Sequence, residues 1–305
     1  MWKMINDEHH KPSGYPFSIQ SVFFPPPSSP PSSLPFKVFG LGPGRTGTDS
    51  LRVALSELGL GPVMHMRELV FPLDSSRVDT RGFMEKFNAM AKGGEDDWGW
   101  MEEFNSGVDW PLSSFPEELL RRFPDAKFIL TIRRNGKTWM RSIKSTICRF
   151  GSSGLPWSLV GWLPVLPFSR LSAQREMLDN VMKRKFVRDN ITGWEDLCGL
   201  TDEEGEGVYE RWNEYVKRVV PSDRLLVFET GRDGYGEVME FLGIEEKEGT
   251  GEAGFKGREW PRVNSKEEFD RIIAFVWLLA ALEVGGVCWG IFKLIRSQRR
   301  KNKTA

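Results

Sequence analysis

Apolar residues cluster along this chain in two rhythms. Short, near-continuous apolar runs occur at Phe36–Phe39, Pro62–Met66, Lys127–Ile132 (KFILTI) and Arg224–Phe228 (RLLVF). Runs of this length without polar alternation predict strands buried on both faces, as in a parallel sheet. Between them the spacing becomes helical, over Thr48–Leu58, Ser114–Arg122, Thr138–Ile147 and Glu237–Leu242. Residues 83–104 and 173–219 also read as mostly helical, the second interrupted by the acidic, glycine-bearing DEEGEG at 202–207. Strand followed by helix, repeated, argues an α/β fold with a parallel sheet flanked by helices. Gly59 and Gly61 suit the C-terminal cap of the first helix. Ser114, with Glu117 three residues on, suits an N-terminal cap. Asp109-Trp110-Pro111 marks a turn.

The ends behave differently. Residues 1–35 contain FPPPSSPPSSLP, a Pro/Ser tract that cannot pack a core and predicts an extended or disordered segment. His9 and His10 lie in it, and a solvated pair outweighs a metal site there. The apolar, proline-broken segment 150–170 reads as a lid or an interfacial contact, and 245–258 as a charged loop. Residues 272–295 form an apolar run long enough to cross a bilayer, followed by a basic tail at 296–305. Glu283 inside that run costs on the order of 3 kcal/mol at mid-membrane, which the surrounding Leu, Phe, Val, Ile and Trp offset. Gly286 and Gly290 have a spacing that suits helix packing in lipid. The N-terminal residues hold no apolar run of signal length. The expectation is a single-pass, tail-anchored protein with its main domain, 36–265, in the cytosol. The basic tail argues the opposite orientation.

Lys+Arg and Asp+Glu both number 42, so no global field favours nucleic acid as a partner. Cys148, Cys198 and Cys288 are widely spaced and predict neither a disulfide framework nor a CxxC site, which fits a reducing compartment.

The chemistry gathers at FKVFGLGPGRTGTDSL, 36–51. A strand runs into a glycine-rich turn, with Gly40, Gly42, Gly44 and Gly47, and then into a helix. Such a turn brings backbone N–H groups and a positive helix end to one place, a site for phosphate or sulfate. Arg45 adds a forked cation, and Thr46 and Thr48 add hydroxyls. Gly42-x-Gly44-x-x-Gly47 fits the GxGxxG fingerprint of an NAD(P)-dependent epimerase or dehydrogenase. Its ribose carboxylate would be Glu68, which follows His65-Met66-Arg67 rather than ending a strand cleanly, and Arg45 is bulky for that turn. Gly42 and Gly47 also have nucleoside-triphosphatase spacing. Thr48 and Asp49 then stand where Lys and Ser/Thr belong, which argues against ATP or GTP hydrolysis.

GLGPGRTGTDSL, PVMHMRE, VDWP, PDAKFILTIR…WMRSI, VVPSDRLLVFE, FLGI and WPRVN occur in that order. Together they resemble the P-loop sulfotransferase-like family abundant in fungi, over about residues 36–265. The resemblance implies a three-layer P-loop-type α/β domain and 3′-phosphoadenosine-5′-phosphosulfate (PAPS) as co-substrate, with no metal. It implies that Arg45 contacts the 5′-phosphate and the transferring sulfuryl group, with Gly42, Gly44, Thr46, Gly47 and Thr48 completing the cradle. Arg133 or Arg134, with Ser142, would hold the 3′-phosphate, and Arg262 is a weaker second contact. The base would be Asp109 or His65. Asp49 departs from the family pattern, since a carboxylate repels a sulfate unless Arg45 or Arg52 neutralises it. The acceptor would carry a hydroxyl or an amine, and the membrane run points to an apolar one. Members of the family often carry a C-terminal hydrophobic span, in agreement with 272–295 as a lipid contact. A non-catalytic nucleotide-binding membrane protein is a further alternative.

Overall fold

The computed structural model describes residues 34–66, 69, 80–94, 97–149, 171–186, 189–245 and 255–263, with scattered positions between 270 and 293. Five strands form one sheet: β1 Val38–Gly40, β2 Val63–Met64, β3 Ser106–Gly107, β4 Lys127–Ile132 and β5 Leu225–Glu229. Every neighbouring pair is parallel, in the order β2-β3-β1-β4-β5. The helices are α1 Thr48–Glu57, α2 Thr80–Ala91, α3 Pro116–Arg122, α4 Gly136–Ser145, α5 Leu171–Lys185, α6 Trp194–Gly199, α7 Asp202–Val219 and α8 Tyr235–Leu242.

Successive strand residues serve opposite faces, as their two-residue period requires. Phe39, Met64, Phe128 and Leu130 face a core with side chains from α2 to α7. Val38, Val63, Ile129 and Phe228 face a second core with Leu51 and Leu55 of α1 and Val238 and Leu242 of α8. Both faces are covered, which is why the strands read as unbroken apolar runs. The carboxyl ends of all five strands share one edge, the edge where open parallel sheets bind ligands.

The end of α1 is as the glycines predict. Gly59 has φ 79°, Gly59 N–H donates to Ser56 O at 3.1 Å and Leu60 N–H to Leu55 O at 2.8 Å, a Schellman cap. Elsewhere the fold departs from the sequence reading. Ser114 does not cap α3: it closes a 3₁₀ turn, Leu112–Ser114, and the helix begins at Pro116, whose fixed φ suits the first helical position. Glu117 instead accepts a hydrogen bond from Tyr215 OH at 3.0 Å. DEEGEG does not interrupt a helix but starts one. Thr201 and Glu204 make a reciprocal capping box, and Asp202, Glu203 and Glu204 lie at the positive end of α7. Cys148 and Cys198, predicted unpaired, form a disulfide with Cα atoms 5.6 Å apart. Their separation of 50 residues hides the pairing until α4 and α6 are brought together.

Residues 1–33, the segment 150–170, Arg67, Glu68 and most of 245–254 lie outside the described residues. The 272–295 run is largely outside them too. No helix among the described residues is long and apolar enough to cross a membrane.

Candidate active site

The loop after β1 is built to a tight tolerance. A Cβ on Gly42 would fall 2.0 Å from Thr131 Oγ1 and 2.6 Å from Thr46 Oγ1, so no side chain fits there. The Thr46 hydroxyl bonds Pro43 O at 2.7 Å and Thr131 Oγ1 at 2.7 Å, with no exposure. The family resemblance places it in the anion cradle; the hydroxyl is instead turned into the protein and holds the loop closed. Gly47 sits at φ 91°, where L-residues are strained, and caps α1 without a side-chain bond. The first N–H groups of α1, beginning at the buried Thr48, therefore bring their partial positive charge to the loop with no side-chain cap over them.

Four side chains from other elements grip the loop by its carbonyls. Trp212 Nε1 donates to Leu41 O at 3.1 Å and Trp139 Nε1 to Gly44 O at 2.9 Å. Arg133 Nε donates to Arg45 O at 2.8 Å and Thr230 Oγ1 to Thr46 O at 2.5 Å. These bonds occupy acceptor lone pairs that would otherwise repel an anion. Tyr209 stacks on Trp139 at 5.2 Å, takes the Arg133 N–H at 2.6 Å and donates to Arg133 O at 3.2 Å. Trp139 opens the WMRSI stretch, but Thr230, Tyr209 and Trp212 are marked by no spacing in the sequence. Each acts through a backbone carbonyl or a ring, which leaves no motif.

The cations expected at two separate phosphate contacts converge. Arg45 adopts φ 72° and its Nε donates to Ser142 Oγ on α4 at 3.3 Å. Of the two arginines after β4, Arg133 is half-buried against the loop and Arg134 is exposed. Burial lowers the Arg133 guanidinium from its ordinary pKa, and Tyr209 opposes that shift. Arg262 is not turned into the site. Its side chain is 84% exposed and paired with Glu259 at 3.6 Å, although the next N–H, of Val263, reaches Ser50 Oγ on α1 at 3.5 Å.

The two candidate bases form one pair. His65, after β2, places Nε2 3.3 Å from Asp109 Oδ2, after β3, and both residues are buried. Asp109 holds φ 71°, and its Oδ1 would lie 3.2 Å from a Cβ on Gly44, so the carboxylate abuts the loop. That oxygen is buried and has no hydrogen-bond partner among the described residues. Lys185, at the end of α5, is also buried here: Nζ donates to Ser113 Oγ at 3.1 Å and lies 3.9 Å from the Trp212 ring centroid. Nothing in MKRKF distinguishes Lys185 from its basic neighbours, so only the fold identifies it. Asp49, in the first turn of α1, accepts from Arg52 Nε at 2.6 Å, which supplies the neutralising partner its position demands.

Fold and site define a parallel α/β protein with an uncapped helix start and two arginines at an anion loop, beside an acid–imidazole pair. Residues 37–269 match the family described as "Sulfotransferase domain", and the chain belongs to that family. It is 34% identical over 217 residues to "Ava biosynthesis cluster protein M" of Aspergillus versicolor, covering 70% of this chain and 78% of that protein.

Proposed function

We propose that this protein transfers a sulfuryl group from PAPS to a hydroxyl or amine of an acceptor. The observation that carries the reading is the meeting of Arg45 and Ser142 at 3.3 Å, with Arg133 bonded to the same loop at 2.8 Å. Segments that a nucleotide with phosphates at both its 5′ and 3′ positions would need are thus joined in one cluster. Gly42, Gly44, Gly47 and the N-terminal amides of α1 would take the 5′ end, and Arg133 and Ser142 the 3′-phosphate. Arg45, within reach of both, would stabilise charge on the leaving oxygen. PAPS supplies the activated sulfuryl group. The acceptor's proton would pass to Asp109, whose Oδ1 is buried, without a hydrogen-bond partner among the described residues, and close to the loop. The relative's place in a biosynthesis cluster favours a small-molecule acceptor. We also read 272–295 as a membrane segment. Its apolar sequence supports this, as does the exposure of Leu282 and Trp289, at 63% and 61%.

The test is a titration of the full chain, in detergent, with adenosine 3′,5′-bisphosphate, NAD(H) and ATP. The bisphosphate is expected to bind, with affinity falling at least tenfold in Arg45→Ala and in Ser142→Ala. Binding of NAD(H) without the bisphosphate would overturn the proposal.

A further inference from the structure

Lys185 is a lysine in a place where lysines are rarely found. The residue is 8% exposed, and Lys is almost never fully buried unless it is paired. Its Nζ is 3.9 Å from the centroid of Trp212, 5.6 Å from Trp110 and 5.7 Å from Phe186. Ser113 Oγ takes one of its hydrogens at 3.1 Å. Ring faces and a hydroxyl are what an ammonium group needs to remain charged out of water. Burial drives its pKa well below the ordinary lysine value, while the Asp109 charge acts in the opposite direction.

Trp110 follows Asp109 in the chain, and Ser113 N–H donates to Asp109 O at 2.8 Å. Trp212 is one of the residues that grips the anion loop. Lys185 therefore touches both sides of the site: the segment that carries the carboxylate and the ring that holds the loop. Its neighbour Arg184 does not compete for Asp109, because it pairs with Glu118 and lies over Phe115.

We propose that Lys185 is a positioning residue for the base at this site, its buried ammonium serving as counter-charge to Asp109 in a cluster with His65. The inference rests on the sulfuryl-transfer reading. As the acceptor oxygen bonds to sulfur and the sulfur–oxygen bond to the nucleotide phosphate breaks, the acceptor's proton passes to the Asp109 carboxylate. His65 lies against that carboxylate from the end of β2, and Lys185, at the end of α5, interacts with its charge from beside Ser113 and Trp110. Arg45, on the loop, directs its Nε at Ser142. Arg67 and Glu68, next along the chain from His65, lie outside the described residues. A cation here offsets the negative charge of the carboxylate and disfavours a second positive charge on His65.

The chain has three histidines, His9, His10 and His65, so the His65 resonances are assigned by their loss in a His65→Gln control. The experiment is an NMR titration of the imidazole resonances of the full chain, in detergent, wild type against Lys185→Met, Lys185→Gln and Lys185→Arg. Loss of a nearby positive charge removes repulsion from the imidazolium, so the His65 pKa is expected to rise by about one unit in the Met and Gln variants. In the Arg variant it is expected to return close to the wild-type value. The Gln variant keeps a donor for Ser113, so it separates charge from packing if the Met variant fails to fold. A merely structural role would lower stability in all three without this ordering. An unmoved His65 in a folded Met or Gln variant would overturn the proposal. The NMR result needs no nucleotide, so its failure and failure of the sulfuryl-transfer reading are separate outcomes.

Discussion

Asp49 occupies a position where a charge can either disable an anion site or be absorbed by it. It is buried in the first turn of α1, the helix whose N-terminal amides face the loop. An uncompensated carboxylate there would act against any phosphate or sulfate by Coulomb repulsion, worth several kcal/mol at short range in a partly buried setting. Arg52 holds it at 2.6 Å from one turn further along, with both side chains largely shielded from water. The pair presents near-zero net charge to the loop, and that is the condition under which Asp49 is tolerated. Arg52→Met should therefore weaken adenosine 3′,5′-bisphosphate binding by roughly tenfold, the effect of about 1.4 kcal/mol of restored repulsion. Asp49→Asn in the same chain should recover most of the loss. Calorimetric titration of wild type, single and double variants checks this. A double variant as weak as the single one would show that Arg52 acts through α1 packing rather than charge.

Close approach of α4 and α7 sets where the gripping side chains land. A Cβ on Gly205 would lie 2.4 Å from Met140 Cγ and 2.9 Å from Met140 Cβ, and one on Gly136 would lie 2.6 Å from Glu206 Cα. These two glycines let the helices touch near their N-terminal ends, so that Tyr209 and Trp212, further along α7, reach Arg133 and Leu41. By helix propensity alone, Gly205→Ala should stabilise α7 by about 1 kcal/mol. Overpacking against Met140 costs about 1–3 kcal/mol, and part of the clash is with the unyielding Cβ rather than the flexible end of the side chain. The expected outcome is a net loss near 1 kcal/mol, read as a lower urea midpoint, together with weaker bisphosphate binding as Trp212 withdraws from the loop. A higher midpoint with unchanged binding would refute this account. The same contact shows what the sequence could carry. The strands at 38–40, 127–132 and 225–229 and the helices Thr48–Glu57 and Gly136–Ser145 were legible, their ends displaced by about two residues or fewer, because burial on both sheet faces and helical spacing are local patterns. The glycines of DEEGEG looked like breaks because the reason for them is a neighbouring helix. Among the site residues, Arg45, Arg133, Ser142, His65 and Asp109 were named from motif positions. That His65 and Asp109 are one pair, that Thr46 turns inward and that Lys185 belongs beside them depend on elements far apart in sequence meeting at the sheet edge.

For the molecule as a whole, the Cys148–Cys198 disulfide links two regions that the sheet does not connect. Cys148 follows α4, the helix that carries Ser142. Cys198 lies in α6, whose Trp194 meets the Trp110 ring edge-on at 5.8 Å, next to Asp109. The bond joins positions 50 apart in sequence and closes a loop that includes α5 and Lys185. In a chain-entropy description, closing a loop of that length removes unfolded-state freedom worth roughly 4 kcal/mol. The Cys148→Ser, Cys198→Ser double variant should unfold at a clearly lower denaturant concentration than the oxidised protein, with a loss of up to about 4 kcal/mol. Wild type treated with dithiothreitol should match the variant. Bisphosphate affinity should fall less, because α4 remains packed on α7 and Trp139 still holds Gly44 O at 2.9 Å. Equilibrium unfolding under oxidising and reducing conditions, with a non-reduced peptide digest to detect the cross-linked pair, provides the check. Identical midpoints in both conditions, with no cross-linked peptide, would show that these cysteines are not joined and that packing alone holds the two regions together.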